Sequence, residues 1–201
     1  MTKISAPIDE GTISQLHAGD RVLINGILFG ARDAAHRELA KLIQRGEKLP
    51  FEINGQIIYY VGPTPPRPGE VIGSAGPTTS YRMDPYTPAL LSAGLKGMLG
   101  KGPRSKEVVE AIAKYRAVYF GAIGGIGALL SQRIIKAEVI AYKELGPEAL
   151  WKFEVNDFPA IVINDVHGRD WYKEKLHAAR SPQPPSRCAS GATVAIKPFT
   201  T

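Results

Sequence analysis

Apolar and polar positions along the chain form short runs that are typical of strands and helices joined by tight turns. Residues 21–29 (RVLINGILF) predict a buried strand, because the run is apolar and contains β-branched side chains. Asp33 is placed to cap the following helix, whose apolar positions recur on one face, and Gly46 is placed to end it. We predict further strands at 56–61, 70–74, 95–99, 117–120, 134–142 and 160–164, further helices beginning at Thr87 and Ser105, one helix around 125–132, and a short helix opened by 146–148 that contains Trp151.

The order of these elements predicts an α/β fold. Strands alternate with helices in the second half, whereas the first half has longer strand runs and fewer helices, which favours a single layered β/α domain. We place this domain at residues 1–175 and a Pro- and Ser-rich tail at 176–201. The four prolines of residues 63–69 (PTPPRPG) predict a stiff, exposed connector, since proline cannot donate to a sheet ladder.

Composition narrows the class of protein. Hydrophobic residues make up 44% of the chain, which is enough to bury a core. No apolar run reaches the roughly 18 residues that cross a bilayer, and the first residues lack the apolar core of a signal peptide. We therefore expect a cytoplasmic protein with no membrane partner. The single cysteine, Cys188, excludes an intrachain disulfide and a metal cluster held by several cysteines of this chain alone.

The net charge of +6 arises from 25 Lys and Arg residues against 19 Asp and Glu residues. These positive charges are scattered along the chain, and aromatic residues make up only 8% of it, so no basic stacking surface for nucleic acid is predicted. A site for a small anion accounts for the same charge, and we expect no nucleic-acid partner.

The most informative stretch is 76–86 (GPTTSYRMDPY). Its three consecutive hydroxyl residues follow a turn and precede Arg82; they are Thr78, Thr79 and Ser80. Successive N–H groups in a turn can surround an anion, and a guanidinium binds a carboxylate through two parallel hydrogen bonds. This pattern predicts a site for an organic acid or a phosphate. The alternative is a capped turn in which Arg82 and Asp84 pair on the surface.

Two more cations are candidates for the same anion. Arg32 lies where the strand at 21–29 gives way to its helix, and ligands of α/β sheets bind beyond the carboxyl ends of strands. Lys101 lies in a glycine-rich loop, 94–102 (GLKGMLGKG), that fails the P-loop pattern.

The glycines of 121–127 (GAIGGIG) favour close helix packing, and His36 fits a structural role better than a catalytic one. The four histidines show no metal-binding spacing.

These stretches together resemble one family over roughly residues 10–172, the class I fumarate hydratases, of which the chain resembles the β subunit or C-terminal domain. The segments that carry the resemblance are GARDAAHREL (30–39), IYYVGPTPPRPGEVIGSAGPTTSYRMDPYTP (58–88), GLKGMLGKG (94–102), AVYFGAIGGIGALLSQRI (117–134) and AYKELGPEALWKFEVNDFPAIVIND (141–165). The β subunit of L-tartrate dehydratase shares part of this pattern and is the alternative. PGEVIGSAGPTT and LKGMLGKG favour the fumarase.

The resemblance implies reversible hydration of fumarate to (S)-malate by an enzyme with a [4Fe-4S] cluster. One iron of that cluster acts as a Lewis acid. The cluster cysteines belong to an α subunit, so this chain would hold no metal ligand and would be active only with that partner, in homodimerised αβ pairs. The implied fold of the β portion is a swivelling β/β/α layered domain.

The resemblance also implies roles for individual residues. Its carboxylate-binding positions correspond to Arg32, Arg82 and Lys101, and its substrate-contacting hydroxyls to Thr78, Thr79 and Ser80. Thr78 would take part in proton transfer together with an acidic residue of the other subunit, a role that requires activation of its hydroxyl.

One position departs from the family pattern. Tyr81 stands where this family often has glycine, which puts substrate preference in question and would strain the backbone if the position needed a positive φ. A non-catalytic dicarboxylate-binding or assembly module is the alternative of another class.

Overall fold

The computed structural model describes residues 1–122 and 125–180 of the chain. These residues contain seven β-strands and six α-helices. The strands are β1 (Thr2–Ala6), β2 (Arg21–Gly30), β3 (Ile57–Tyr59), β4 (Gly97–Gly100), β5 (Val118–Gly121), β6 (Ile134–Ala141) and β7 (Leu150–Asn164). The helices are α1 (Glu10–Gln15), α2 (Asp33–Arg45), α3 (Thr87–Ser92), α4 (Lys106–Lys114), α5 (Gly127–Ser131) and α6 (Trp171–Arg180), with 3₁₀ segments at Ser80–Met83 and Lys143–Glu148.

The sheet closes on itself into a small barrel. Strands β1 to β5 run parallel to one another in chain order, and β7 lies antiparallel to both β2 and β5. Because β7 pairs with strands on both sides, the ring β2–β3–β4–β5–β7 has no free edge, whereas β1 and β6 extend it outward. The fold is mixed α/β, as the sequence predicts.

Both faces of the parallel strands are buried. In β3, Ile57 and Tyr59 point into one apolar cluster, which also contains Ile13 of α1. Ile58 and the following Tyr60 point into a second cluster, between the sheet and helices α2, α3 and α4. A strand buried on both faces has a continuous apolar run, and for this reason β3 can be predicted from the sequence.

This arrangement brings three strand ends to one edge. Strands β2, β3 and β4 are parallel neighbours, so their carboxyl ends lie side by side. Arg32 follows β2, Tyr60 follows β3 and Lys101 follows β4. In parallel sheets this edge is where ligands bind.

Several predicted element ends are confirmed. Helix α2 closes at Gly46, whose φ of 66° is left-handed and favours glycine. Ser105 caps α4, since its side chain accepts a hydrogen bond from the Val108 N–H at 3.3 Å. The cap of α2 is different from the prediction: Arg32 occupies the N-cap position and Asp33 is the first helical residue, so its carboxylate is available for other contacts.

Other predictions are wrong. Residues 70–74 form bends and irregular backbone rather than a strand. Trp151 lies in β7, where it pairs with Gly30 and Val139, rather than in a helix. Strand β1 and helix α1 are not among the predicted elements. The domain boundary at residue 175 stays a prediction, and residues 181–201 with Cys188 lie outside the described residues. None of the described helices is long and apolar enough to cross a membrane.

Candidate active site

Two of the predicted cations meet at one carboxylate. The Arg82 Nη2 lies 2.7 Å from Oδ2 of Asp33, and the Arg32 Nε lies 3.3 Å from the same oxygen. The side chains of Arg32 and Arg82 keep 25% and 40% of their surface exposed, so both guanidiniums remain accessible. The alternative pairing of Arg82 with Asp84 does not form, because Asp84 pairs with Arg104 instead.

Arg32 is held from two further sides. Its Nη2 lies 3.0 Å from Oε1 of Glu148, whose other oxygen accepts a hydrogen bond from the Ala34 N–H at 3.0 Å. A Cβ added to Gly62 would lie 2.8 Å from Nη1 of Arg32, so a larger residue there would displace the guanidinium. Glu148 comes from the loop between β6 and β7, which therefore contributes to the site.

The hydroxyl turn is fixed by the ends of β3 and β4. The Thr78 N–H donates to the Tyr60 carbonyl (2.7 Å), and the Ser80 N–H donates to the Lys101 carbonyl (2.8 Å). The Lys101 N–H donates back to the Thr78 carbonyl at 3.2 Å. Because two of the turn's three N–H groups are engaged in this way, the expected anion-binding concavity of consecutive N–H groups does not form.

The three hydroxyl side chains differ in accessibility. Thr78 and Thr79 are half-buried, whereas Ser80 is fully buried with its Oγ 2.9 Å from the Tyr119 hydroxyl. The Tyr119 hydroxyl donates a hydrogen bond to the Gly102 carbonyl at 2.8 Å. Burial raises the pKa of Tyr119, so the hydroxyl stays protonated. Ser80 therefore donates inward to Tyr119, and its predicted contact with substrate stays a prediction.

A buried arginine that the sequence analysis did not single out stabilises the turn. The Arg104 side chain is fully buried, and its Nε lies 2.7 Å from Oδ1 of Asp84. Its other nitrogens donate to the Thr87 hydroxyl (2.7 Å) and the Tyr60 hydroxyl (3.2 Å). Because Asp84 ends the turn and Arg104 follows the Lys101 loop, this pair connects the two segments that carry candidate residues. No local sequence signal distinguishes it from a surface arginine.

Lys101 and Tyr81 border the site. Lys101 pairs through its backbone with Thr79, and its exposed side chain makes no ion pair within the described residues. Tyr81 is 61% exposed and lies in the 3₁₀ segment Ser80–Met83. Among the described non-glycine residues, positive φ values occur elsewhere, so Tyr81 stands at this position without backbone strain.

His36 is buried next to the backbone of Arg32. It is fully buried, its Nδ1 is 3.1 Å from the Arg32 carbonyl, and its ring packs edge-on against Tyr60 with centroids 5.1 Å apart. Burial lowers the pKa of His36 to about 4, with the Arg104 charge acting in the same direction. A neutral, enclosed imidazole fits the structural role that the sequence predicts.

Comparison with known proteins identifies the family. The chain matches the fumarase C-terminus family over residues 2–175. The chain belongs to this family. The match covers every described element except the end of α6, and it includes all six candidate site residues.

The relatives of this chain that carry curated names include both long and short proteins. The chain is 42% identical over 177 residues to "Fumarate hydratase 2" of Leishmania major, covering 86% of this chain and 31% of the relative. It is 44% identical over 164 residues to the class I anaerobic fumarate hydratase of Escherichia coli, covering 81% and 30%. It is 38% identical over 168 residues to the putative L(+)-tartrate dehydratase subunit beta of Methanocaldococcus jannaschii, covering 81% and 86%. The chain thus spans about a third of these fumarate hydratases.

Proposed function

We propose that this chain is the β subunit of a two-subunit class I fumarate hydratase that catalyses reversible hydration of fumarate to (S)-malate. The observation that supports this most directly is the convergence of Arg32 and Arg82 at the edge of the sheet that also presents Thr78 and Lys101. Fumarate and malate are dianions, and such a group of cations suits a small dicarboxylate.

Each residue has a role in this proposal. The guanidiniums of Arg32 and Arg82 bind substrate carboxylates, and Lys101 adds a third positive charge from the end of β4. Removing a proton next to a carboxylate builds negative charge, which positioned cations stabilise. Thr78 and Thr79 contact the substrate through their hydroxyls. Thr78 takes part in proton transfer with an acidic residue of the partner, since a free threonine hydroxyl is a weak base.

The described residues do not fit a ligand set for an iron–sulfur cluster. Within 1–122 and 125–180 there is no group of three or more His, Cys, Asp or Glu side chains that could hold a metal ion. The whole chain has one cysteine, whereas a [4Fe-4S] cluster needs three or four thiolates. We assign the cluster to the α subunit.

Partner and fold belong to the same proposal. The fumarate hydratases above are about three times as long as the matched segment, whereas the tartrate dehydratase relative is named as a subunit and matches over most of its length. The subunit name of that relative supports an α subunit as the partner of this chain, and we propose that αβ pairs form dimers. The swivelling β/β/α description and the cytoplasmic location remain predictions of the resemblance and of the sequence.

The test is an activity assay of the chain reconstituted with its α subunit and cluster without oxygen. We expect fumarate hydration by the complex and none by the isolated chain. Arg82→Ala should lower kcat/KM by about a hundredfold or more, because an ionic carboxylate contact is lost. Arg169→Ala is the control, since Arg169 forms an exposed ion pair with Glu174 outside the site. Unchanged kinetics for Arg82→Ala would contradict the proposed site.

The second candidate is the β subunit of an L-tartrate dehydratase. The observation that favours it is the relative from Methanocaldococcus jannaschii, which matches over 86% of its own length. The same complex assayed with tartrate distinguishes the two, because a tartrate dehydratase would dehydrate tartrate and leave fumarate unchanged. Binding of dicarboxylates without turnover of either substrate would indicate the non-catalytic module.

A further inference from the structure

The carboxylate of Asp33 forms contacts that its position in the helix does not require. As the first residue of α2 it could interact with the positive helix terminus. The Ala34 N–H of that first turn, however, already donates to Glu148 at 3.0 Å. Among the described residues, the hydrogen bonds of the Asp33 carboxylate go to the guanidiniums of Arg32 and Arg82. Asp33 therefore links two cations rather than capping a helix.

A shared oxygen fixes the distance between these cations. Two guanidiniums repel each other, and long arginine side chains lose rotamer freedom when they are held in one geometry. Oδ2 of Asp33 lies 2.7 Å from Arg82 and 3.3 Å from Arg32, so it offsets the repulsion and restricts both side chains. Arg82 reaches it from the hydroxyl turn, 49 residues along the chain, so the contact also joins two segments of the site.

We propose that Asp33 is a positioning residue that sets the spacing of Arg32 and Arg82 and thereby selects dicarboxylates by the distance between their carboxylates. The inference rests on the proposed function, because it takes these arginines to be the carboxylate-binding groups. Glu148 fixes Arg32 independently, so the effect of Asp33 falls mainly on Arg82, whose described ion pair is with Asp33 alone.

The experiment measures dicarboxylate binding rather than turnover. Dissociation constants for malonate, succinate and glutarate, which differ by one methylene at each step, are obtained by titration calorimetry on the complex with the α subunit. We expect the wild type to favour one length by about tenfold or more, and Asp33→Asn to reduce this preference to about threefold or less. Weaker binding of all three with the preference unchanged would overturn the proposal, because a merely structural residue gives that result.

Two further variants sharpen the test. Asp33→Glu keeps the charge but moves the bridging oxygen by one methylene, so we expect it to retain a preference with a changed ranking of the three lengths. Glu174→Gln makes the same kind of change in the exposed pair with Arg169 and should leave the ranking as in the wild type. Should Asp33→Asn fail to fold, an unchanged ranking in Asp33→Glu would overturn the proposal.

The outcomes separate this inference from the proposed function. A wild-type complex that turns over neither fumarate nor tartrate, but shows a length preference that Asp33→Asn loses, removes the proposed function and supports the positioning role. A wild-type complex that hydrates fumarate but shows no length preference supports the function and overturns the positioning role. Fumarate hydration together with a wild-type length preference that persists in both Asp33 variants leads to the same conclusion.

Discussion

Two arginine–aspartate pairs in this chain have the same length and opposite surroundings. Arg82 and Asp33 approach to 2.7 Å with 40% and 29% of their side chains exposed. Arg104 and Asp84 approach to the same 2.7 Å with 0% and 11% exposed. The distance does not distinguish the two pairs, so their roles must follow from burial and from the other contacts of each guanidinium.

The buried pair has no capacity left for a ligand. Arg104 donates to Asp84, Thr87 and Tyr60, and its guanidinium carbon lies 5.0 Å from the centroid of the Tyr119 ring. In the exposed pair, Arg82 donates a hydrogen bond from one nitrogen, and 40% of its side-chain surface stays exposed. The substrate carboxylate of our proposal therefore has access to Arg82, whereas Arg104 serves as a fixed support for the turn.

The largest loss of stability should come from breaking the buried pair of Arg104 and Asp84. Arg104→Ala leaves the Asp84 carboxylate largely enclosed without its cation, so we expect a loss of about 3–5 kcal/mol in the free energy of unfolding. Urea unfolding at neutral pH measures it, and Arg169→Ala serves as the exposed control. Arg104→Lys keeps the charge but offers no planar fork, so it should restore only part of the loss. A loss below about 1 kcal/mol for Arg104→Ala would contradict the supporting role.

This contrast also explains what the sequence can predict about the site. Arg32, Arg82 and the hydroxyl turn are recognisable because their residue types and their positions after strands indicate anion binding. Arg104 has no such signal, since its partner Asp84 becomes a neighbour only when the turn packs against the β4 loop. Asp33 has a misleading signal, because an aspartate before a helical run is typical of a cap.

Prediction of the fold from the sequence has the same limit, because contacts between distant segments leave no local signal. Strand β2 and helix α2 are predictable from local sequence, because β2 is an apolar run with β-branched residues and the buried residues of α2 recur on one face. The first two thirds of β7 are not, since the segment mixes charged and aromatic residues, and Pro159 argues against a strand. That strand exists because it pairs with β2, β5 and β6 at once, which is long-range information.

We expect an intermediate effect on the free energy of unfolding at His36, which lies between the two pairs. Its Nδ1 contacts the backbone carbonyl of Arg32. Burial lowers its folded-state pKa to about 4 from 6.5, so between these values the unfolded state binds the extra proton. Stability from this group is present above pH 6.5 and is lost as the pH falls toward 4, by about 3 kcal/mol.

The measurement compares unfolding free energies at pH 7 and pH 4.5 for the wild type and His36→Gln. The two proteins carry the same carboxylates, so the difference between the two pH dependences isolates the histidine. We expect a clearly smaller acid-induced loss in His36→Gln. Equal losses would show that the enclosed imidazole can accept a proton at little cost, against the burial found here.

The smallest effect on stability should come from the exposed pair. Arg82→Ala should cost less than about 1 kcal/mol, because solvent screens the interaction between partly exposed charges. Added salt should reduce this cost further for Arg82 and leave that of Arg104→Ala almost unchanged. Urea unfolding of both variants at low and high salt provides the comparison. A salt-independent loss of several kcal/mol for Arg82→Ala would mean that both pairs support the fold, and its loss of activity would then no longer indicate substrate binding.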